Sequence, residues 1–151
     1  MKANEFTSFL IQAKQKTYAS GKNPDHSSRP HSHDLHFTEG DYAYIDTYLG
    51  GFHFIGEEAV WYQGKPVWGM NYYGKMLTEV IPAGFSEFLK AALMRVPKEM
   101  PFRGPEEYHN GDFSYHCRVE GNLERFVGEE EISFDDKPIY RLAFHGGEIR
   151  D

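Results

Sequence analysis

A chain of 151 residues with 40% hydrophobic and 16% aromatic content can bury a sizeable core within one domain. Its net charge of −7, with no basic run anywhere, argues against a nucleic-acid surface, which needs clustered Lys and Arg to release counterions. The lone Cys117 rules out an internal disulfide; together with the lack of a leading apolar stretch it points to a reducing cytoplasm and away from a membrane.

Along the chain, residues 5–19 set Phe6, Phe9, Leu10, Ala13 and Thr17 at helical spacing, with Asn4 available as N-cap. An irregular segment over about residues 20–39 follows, carrying Pro24, Pro30 and four histidines. Connections of that length are uncommon in compact domains and are usually functional or disordered. Three strands come next, at about residues 42–49, 54–62 and 67–73, recognisable by β-branched and aromatic residues between Gly and Pro punctuation. Phe85, Phe88, Leu89, Ala92 and Val96 then repeat the helical spacing between Pro82 and Pro97. A second long segment, residues 97–110, leads to three further strands at about 113–119, 126–134 and 139–145. The turns are short enough to make each set an antiparallel meander.

The second half repeats the first. A shift of 72 residues lays Phe54-Ile55-Gly56-Glu57-Glu58 on Phe126-Val127-Gly128-Glu129-Glu130, and Lys65-Pro66-Val67-Trp68 on Lys137-Pro138-Ile139-Tyr140. The fold class expected is therefore α+β: two tandem αβββ repeats, about 4–76 and 83–149, related by a pseudo-twofold axis. They would form one domain, because neither copy could cover its own apolar face. Six mainly antiparallel strands would make a sheet or an open barrel with packed helices. A likeness to effector-binding modules of the gyrase-inhibitor-like type exists only at the level of this plan.

Strand alternation and the comparison of copies assign the core face to Phe54, Val60, Tyr62, Trp68, Met70 and Tyr72, and to Phe126, Ile132, Phe134, Tyr140, Leu142 and Phe144. Glu58 and Glu130 share that parity. The duplicated Gly-Glu-Glu is read as a bulge at Gly56 and Gly128 that turns the carboxylates elsewhere. Cys117 reads as a small core residue.

Positions that differ between the copies are the candidates for function. Asp46 and Tyr48 stand where the second copy has Cys117 and Val119, Trp61 where it has Ser133, and Asn71 and Tyr73 where it has Ala143 and His145. Rings with a few fixed polar groups are what small-molecule pockets use, so Asp46, Tyr48, Trp61, Asn71, Tyr73 and Arg103 form the expected ligand-binding set. Asp46 between Tyr44 and Tyr48 would anchor a ligand or act as a base. Arg103, between Pro101 and Pro105, would reach Glu58, Asp46 or an anionic ligand.

His26, His31, His33 and His36 crowd the first loop with Asp34, but no standard metal-site spacing accompanies them, and neither metal nor cofactor is expected. His116 and His145 read as structural. No Walker loop, dinucleotide fingerprint, nucleophile elbow or kinase signature is present. Glu57, Glu58, Glu129 and Glu130 do not suit a glycosidase pair, because acid and base need different environments and these are duplicated.

Over nearly its whole length, through Gly40-Asp41-Tyr42-Ala43-Tyr44-Ile45-Asp46-Thr47-Tyr48-Leu49-Gly50, Pro66-Val67-Trp68-Gly69-Met70-Asn71-Tyr72-Tyr73-Gly74 and Pro101-Phe102-Arg103-Gly104-Pro105, the chain resembles an uncharacterised bacterial family, a domain of unknown function found alone or fused behind an Xre-type helix-turn-helix. The resemblance implies no established activity, catalytic set or cofactor. The fused forms imply a sensing or oligomerising companion to a DNA reader. This chain starts directly at its first helix, so DNA binding is not carried over. The function expected is a cytoplasmic small-molecule-binding or regulatory module. An enzyme using Asp46 or Glu58 as base with Arg103 as anion stabiliser is the first alternative. A structural or homodimerising module, with Trp61, Asn71 and Tyr73 at the contact, is the second.

Overall fold

Apolar side chains at helical spacing at the start of the chain form α1 (Ala3–Lys16), whose buried stripe is Phe6, Phe9, Leu10, Ala13 and, among them, Lys14. Asn4 lies inside this helix rather than at its cap. The helix stops where Thr17 turns its hydroxyl back to the Ala13 carbonyl at 2.7 Å. A single turn of 3₁₀ helix, Tyr18–Ser20, closes on Gly21 with φ at 75°. The second helix, α2 (Phe85–Met94), buries Phe88, Leu89, Ala92 and Leu93. These elements belong to a computed structural model that describes residues 3–25 and 27–151.

Each helix is followed by four strands rather than the three expected. β1 (His33–Glu39), β2 (Tyr42–Gly50), β3 (His53–Tyr62) and β4 (Lys65–Met76) follow α1; β5 (Glu107–Asn110), β6 (Phe113–Asn122), β7 (Arg125–Phe134) and β8 (Lys137–Glu148) follow α2. The additional strands come from the ends of the two long segments. The residues around Gly40 and Gly111, both with positive φ, form tight turns that fold β1 onto β2 and β5 onto β6. All eight strands form one open sheet in the order β1-β2-β3-β4-β8-β7-β6-β5, antiparallel throughout. It is not closed into a barrel.

Both helices lie on one face of this sheet. Phe6 meets Trp68 edge-on, Phe9 stacks on Tyr42, Phe88 stacks on Phe113, and Phe85 meets Tyr140. One cluster of buried residues runs through both halves. Of the positions assigned to the core face, Phe54, Tyr62 and Phe134 pack at its margin and the others are buried. On the opposite face Ile55, Tyr73 and Val127 are 55%, 47% and 51% exposed. Among the described residues, no helix is long and apolar enough to cross a membrane.

The bulges lie elsewhere than expected. Register breaks at Val60/Trp61 and Ile132/Ser133, beside the turns, while Gly56 and Gly128 stay in register opposite Tyr72 and Phe144. These glycines leave room for aromatic rings lying across their strand: a Cβ on Gly128 would stand 2.2 Å from Phe144 Cζ, and one on Gly56 2.4 Å from the Tyr72 hydroxyl. Parity is therefore kept, and Glu58 and Glu130 point into the core. Gly128→Ala is expected to displace the Phe144 ring and lower stability by about 1–3 kcal/mol. The urea midpoint checks this, and an unchanged midpoint would mean that the ring has another place to go.

Candidate functional site

Two carboxylates buried in one core face need cations, and each obtains one from the helix layer. Glu58, on β3, accepts the Tyr44 hydroxyl at 2.6 Å and the Lys14 ammonium from α1. Lys14 also donates to the Phe102 carbonyl at 2.7 Å, and burial, partly offset by Glu58, lowers its pKa. Glu130, on β7, is 0% exposed and is met by four donors: Arg103 Nε at 3.0 Å and Nη2 at 2.8 Å, the Tyr115 hydroxyl at 2.5 Å and the Tyr140 hydroxyl at 2.8 Å. Burial opposes ionisation of Glu130, but the guanidinium and the two phenols outweigh it and hold its pKa below the ordinary value. Arg103 thus grips Glu130, not Glu58 or Asp46. It reaches Glu130 from the loop after α2, whose Gly104 N–H donates to the Tyr115 hydroxyl at 2.8 Å.

Asp46 is the third buried carboxylate of this face, 4% exposed, and pairs across β2 and β3 with Glu58 as Cys117 pairs across β6 and β7 with Glu130. Among the described residues its one hydrogen bond comes from the Tyr72 hydroxyl to Oδ1, at 2.5 Å, and Oδ2 has none. No cation of the described residues bonds to it. Burial first, and the Glu58 charge second, raise its pKa to about 7, against the Tyr72 hydrogen bond and the more distant Arg103 and Lys14. Cys117, at the matching place, is buried beside the Glu130 charge; its thiol is pushed up to about 12, which leaves it inert near neutrality.

Asp46 opens into a cleft of about 240 Å³ between the sheet and the helix layer. Asp46, Tyr72, Arg103 and Leu89 are its most buried lining residues, and the first three supply the polar groups of its floor. Tyr18, Tyr48, Phe54 and His33 form the walls, with His33 against Tyr48 at 4.8 Å between ring centres and Tyr18 edge-on to Tyr48 at 6.2 Å. Gly50 and Gly51 lie at the rim, where a side chain on Gly51 would meet open space. Arg103 Nη1 makes no hydrogen bond among the described residues, so the floor has one free carboxylate oxygen and a guanidinium with N–H groups to spare.

The six residues expected to share a pocket are divided by the sheet. Asp46, Tyr48 and Arg103 meet in this cleft. Asn71 and Tyr73 face the other side, in a broad shallow groove where Asn71 lies between Glu57 and His145, and Tyr73 between Ile55 and Ala143. Trp61 is half-buried beside Ala43 and Pro66, toward the opposite end of β3 from Ile55. Strand alternation carries this separation: Tyr48 and Tyr72 share the helix-covered face, and Tyr73 cannot join them.

The first loop is held by ordinary contacts. His36 lies 2.8 Å from Asp25, His33 walls the cleft, His31 is exposed, and His26 lies outside the described residues. Asp34 accepts hydrogen bonds from the Ser28 N–H and the Ser32 and Thr47 hydroxyls, which overcome burial and bring its pKa to about 2. Lys14, Tyr44 and Tyr72 were not in the expected set. The signal for Lys14 was present, since a lysine four residues after Leu10 falls on the apolar stripe of α1.

The family model described as "Domain of unknown function (DUF5680)" matches residues 46–149, more than half of the chain. The chain belongs to this family. The DUF5680 match takes in Asp46, Glu58, Tyr72, Arg103 and Glu130, whereas α1, with Lys14, precedes it. No curated protein and no solved structure matches the chain.

Proposed function

We propose that the protein is a small-molecule-binding module of regulatory character, and that its site is the cleft floored by Asp46. The observation that carries this reading is the free Oδ2 of a carboxylate that is 96% removed from solvent, in a cavity walled by aromatic rings. A fold gains nothing in stability from burying such a group without a cation. The counterpart position holds Cys117, which has no polar demand, so the core does not require a carboxylate there. A core shared by the two halves supports a single domain, and the matching sequence positions support two copies of one ancestral half, the first of which has taken on the site. The lone cysteine supports a cytoplasmic setting.

Pockets for drug-sized ligands span about 300–1,000 Å³, so a cleft of about 240 Å³ suits a molecule of one ring or a few heavy atoms. Thermal-shift screening of small metabolites, with hits mapped by backbone amide shifts, tests the site. Perturbations are expected at Tyr18, Tyr48 and the 102–104 loop. Hits that map instead to Asn71, Tyr73 and His145 would move the site to the open face, and a screen with no hits would count against binding.

A further inference from the structure

Granting that this cleft binds a small molecule, we propose that the molecule is a compact organic cation with an N–H donor, a protonated amine, and that Asp46 is its counter-ion. Among the described residues, the interior beneath the helices holds three carboxylates, Asp46, Glu58 and Glu130, and two cations, Lys14 and Arg103. Both cations are committed by direct contact, Lys14 to Glu58 and Arg103 to Glu130. One negative charge is therefore left over, on the carboxylate that lines the cleft. A monocation balances it. A neutral guest leaves the balancing to a proton on Asp46, and an anion brings a negative charge that nothing in this low-dielectric site matches.

The walls fit the same chemistry. Rings attract cations placed over their faces within about 6 Å, and this protein already uses two of the lining rings so, with Lys90 Nζ 5.5 Å from the Tyr18 ring and Arg103 Cζ 5.7 Å from that of Tyr72. Tyr48 and Phe54 complete the enclosure without such a partner among the described residues. An ammonium over these rings would donate one N–H to Asp46 Oδ2. Arg103 opposes a cation only weakly, because Glu130 takes two of its N–H groups and matches its charge.

Without a guest, Asp46 relieves the imbalance by taking a proton. Binding then reads as an exchange: the ammonium enters, the Asp46 carboxyl releases one proton to solvent, and the carboxylate and ammonium pair. The charged and titratable groups facing Asp46 are Glu58 on β3, Tyr72 on β4, Lys14 on α1, Tyr18 in the 3₁₀ turn, Tyr44 and Tyr48 on β2, His33 on β1 and Arg103.

Three probes of one shape decide the matter: benzylamine, benzyl alcohol and benzoate, titrated into the whole chain and into Asp46→Asn at pH 6.5, with amide shifts and calorimetry as readouts. Benzylamine is expected to bind about tenfold or more tightly than the alcohol, and Asp46→Asn to erase that margin. Calorimetry in two buffers of different ionisation enthalpy is expected to register proton release by the parent and none by Asp46→Asn. The melting temperature of Asp46→Asn confirms that it is folded. Equal binding of amine and alcohol, or tighter binding of benzoate, overturns the cation and leaves the cleft as a binding site. No response at the cleft to any probe overturns both.

Discussion

Arg103→Ala is expected to lower folding stability by about 3–5 kcal/mol, the cost of stranding a buried carboxylate whose partner has been removed. Glu130 would keep the Tyr115 and Tyr140 hydroxyls but lose both guanidinium hydrogen bonds and the charge that keeps it ionised. The loop would loosen as well, since Arg103 and the Gly104 N–H hold it to the sheet through Glu130 and Tyr115. Arg103→Lys is expected to recover only part of the loss, because an ammonium cannot span two carboxylate oxygens as a guanidinium does. Urea unfolding measures all of this. A loss below about 1 kcal/mol for Arg103→Ala would be the size of an exposed ion pair and would contradict a buried one.

Asp46→Asn is expected to have the opposite effect above neutral pH, where it should be more stable than the parent chain. The folded protein holds the Asp46 proton up to about pH 7, whereas the unfolded chain releases it near the ordinary value of 3.8. A carboxyl whose pKa is raised by folding contributes stability that is complete below the unfolded value and is lost as pH rises through the folded one. The difference between the two values corresponds to at most about 4 kcal/mol, lost between roughly pH 4 and 7. Asn keeps an oxygen for the Tyr72 hydroxyl and cannot ionise. The stability difference between Asp46→Asn and the parent should therefore widen across that window and stay level above it. Titrating groups remote from Asp46 are common to both chains and cancel. A flat difference would place a cation on Asp46 after all.

The strands were legible because their aromatic and β-branched residues alternate between glycine turns, and β2 to β4 and β6 to β8 each fall within a few residues of their expected ends. β1 and β5 were hidden, since His33, Asp34, His36 and Glu107, His109, Asn110 lower strand propensity where pairing with β2 and β6 supplies the stability. Gly56 and Gly128 misled because a glycine in a strand signals either a bulge or a close approach, and only the positions of Tyr72 and Phe144 decide which.

Asp46 and Tyr48 could be picked out because their counterparts are so different in character, and Arg103 because an arginine between prolines has few uses. The partner of Arg103 could not, as a loop residue reaches whichever carboxylate the helix layer puts before it. Asn71 and Tyr73 were grouped with Asp46 by the same comparison of positions, although strand alternation already turned them away from the core face. The sheet then separates them.

The most direct measurement is the titration of the Asp46 side-chain carboxyl, followed by carbon NMR with the resonance assigned through Asp46→Asn. A midpoint near 7 is expected, because among the described residues two buried cations serve the three carboxylates beneath the helices and Asp46 is the one left without. A midpoint near the ordinary value of 3.8 would contradict it, showing that the Asp46 charge is already compensated.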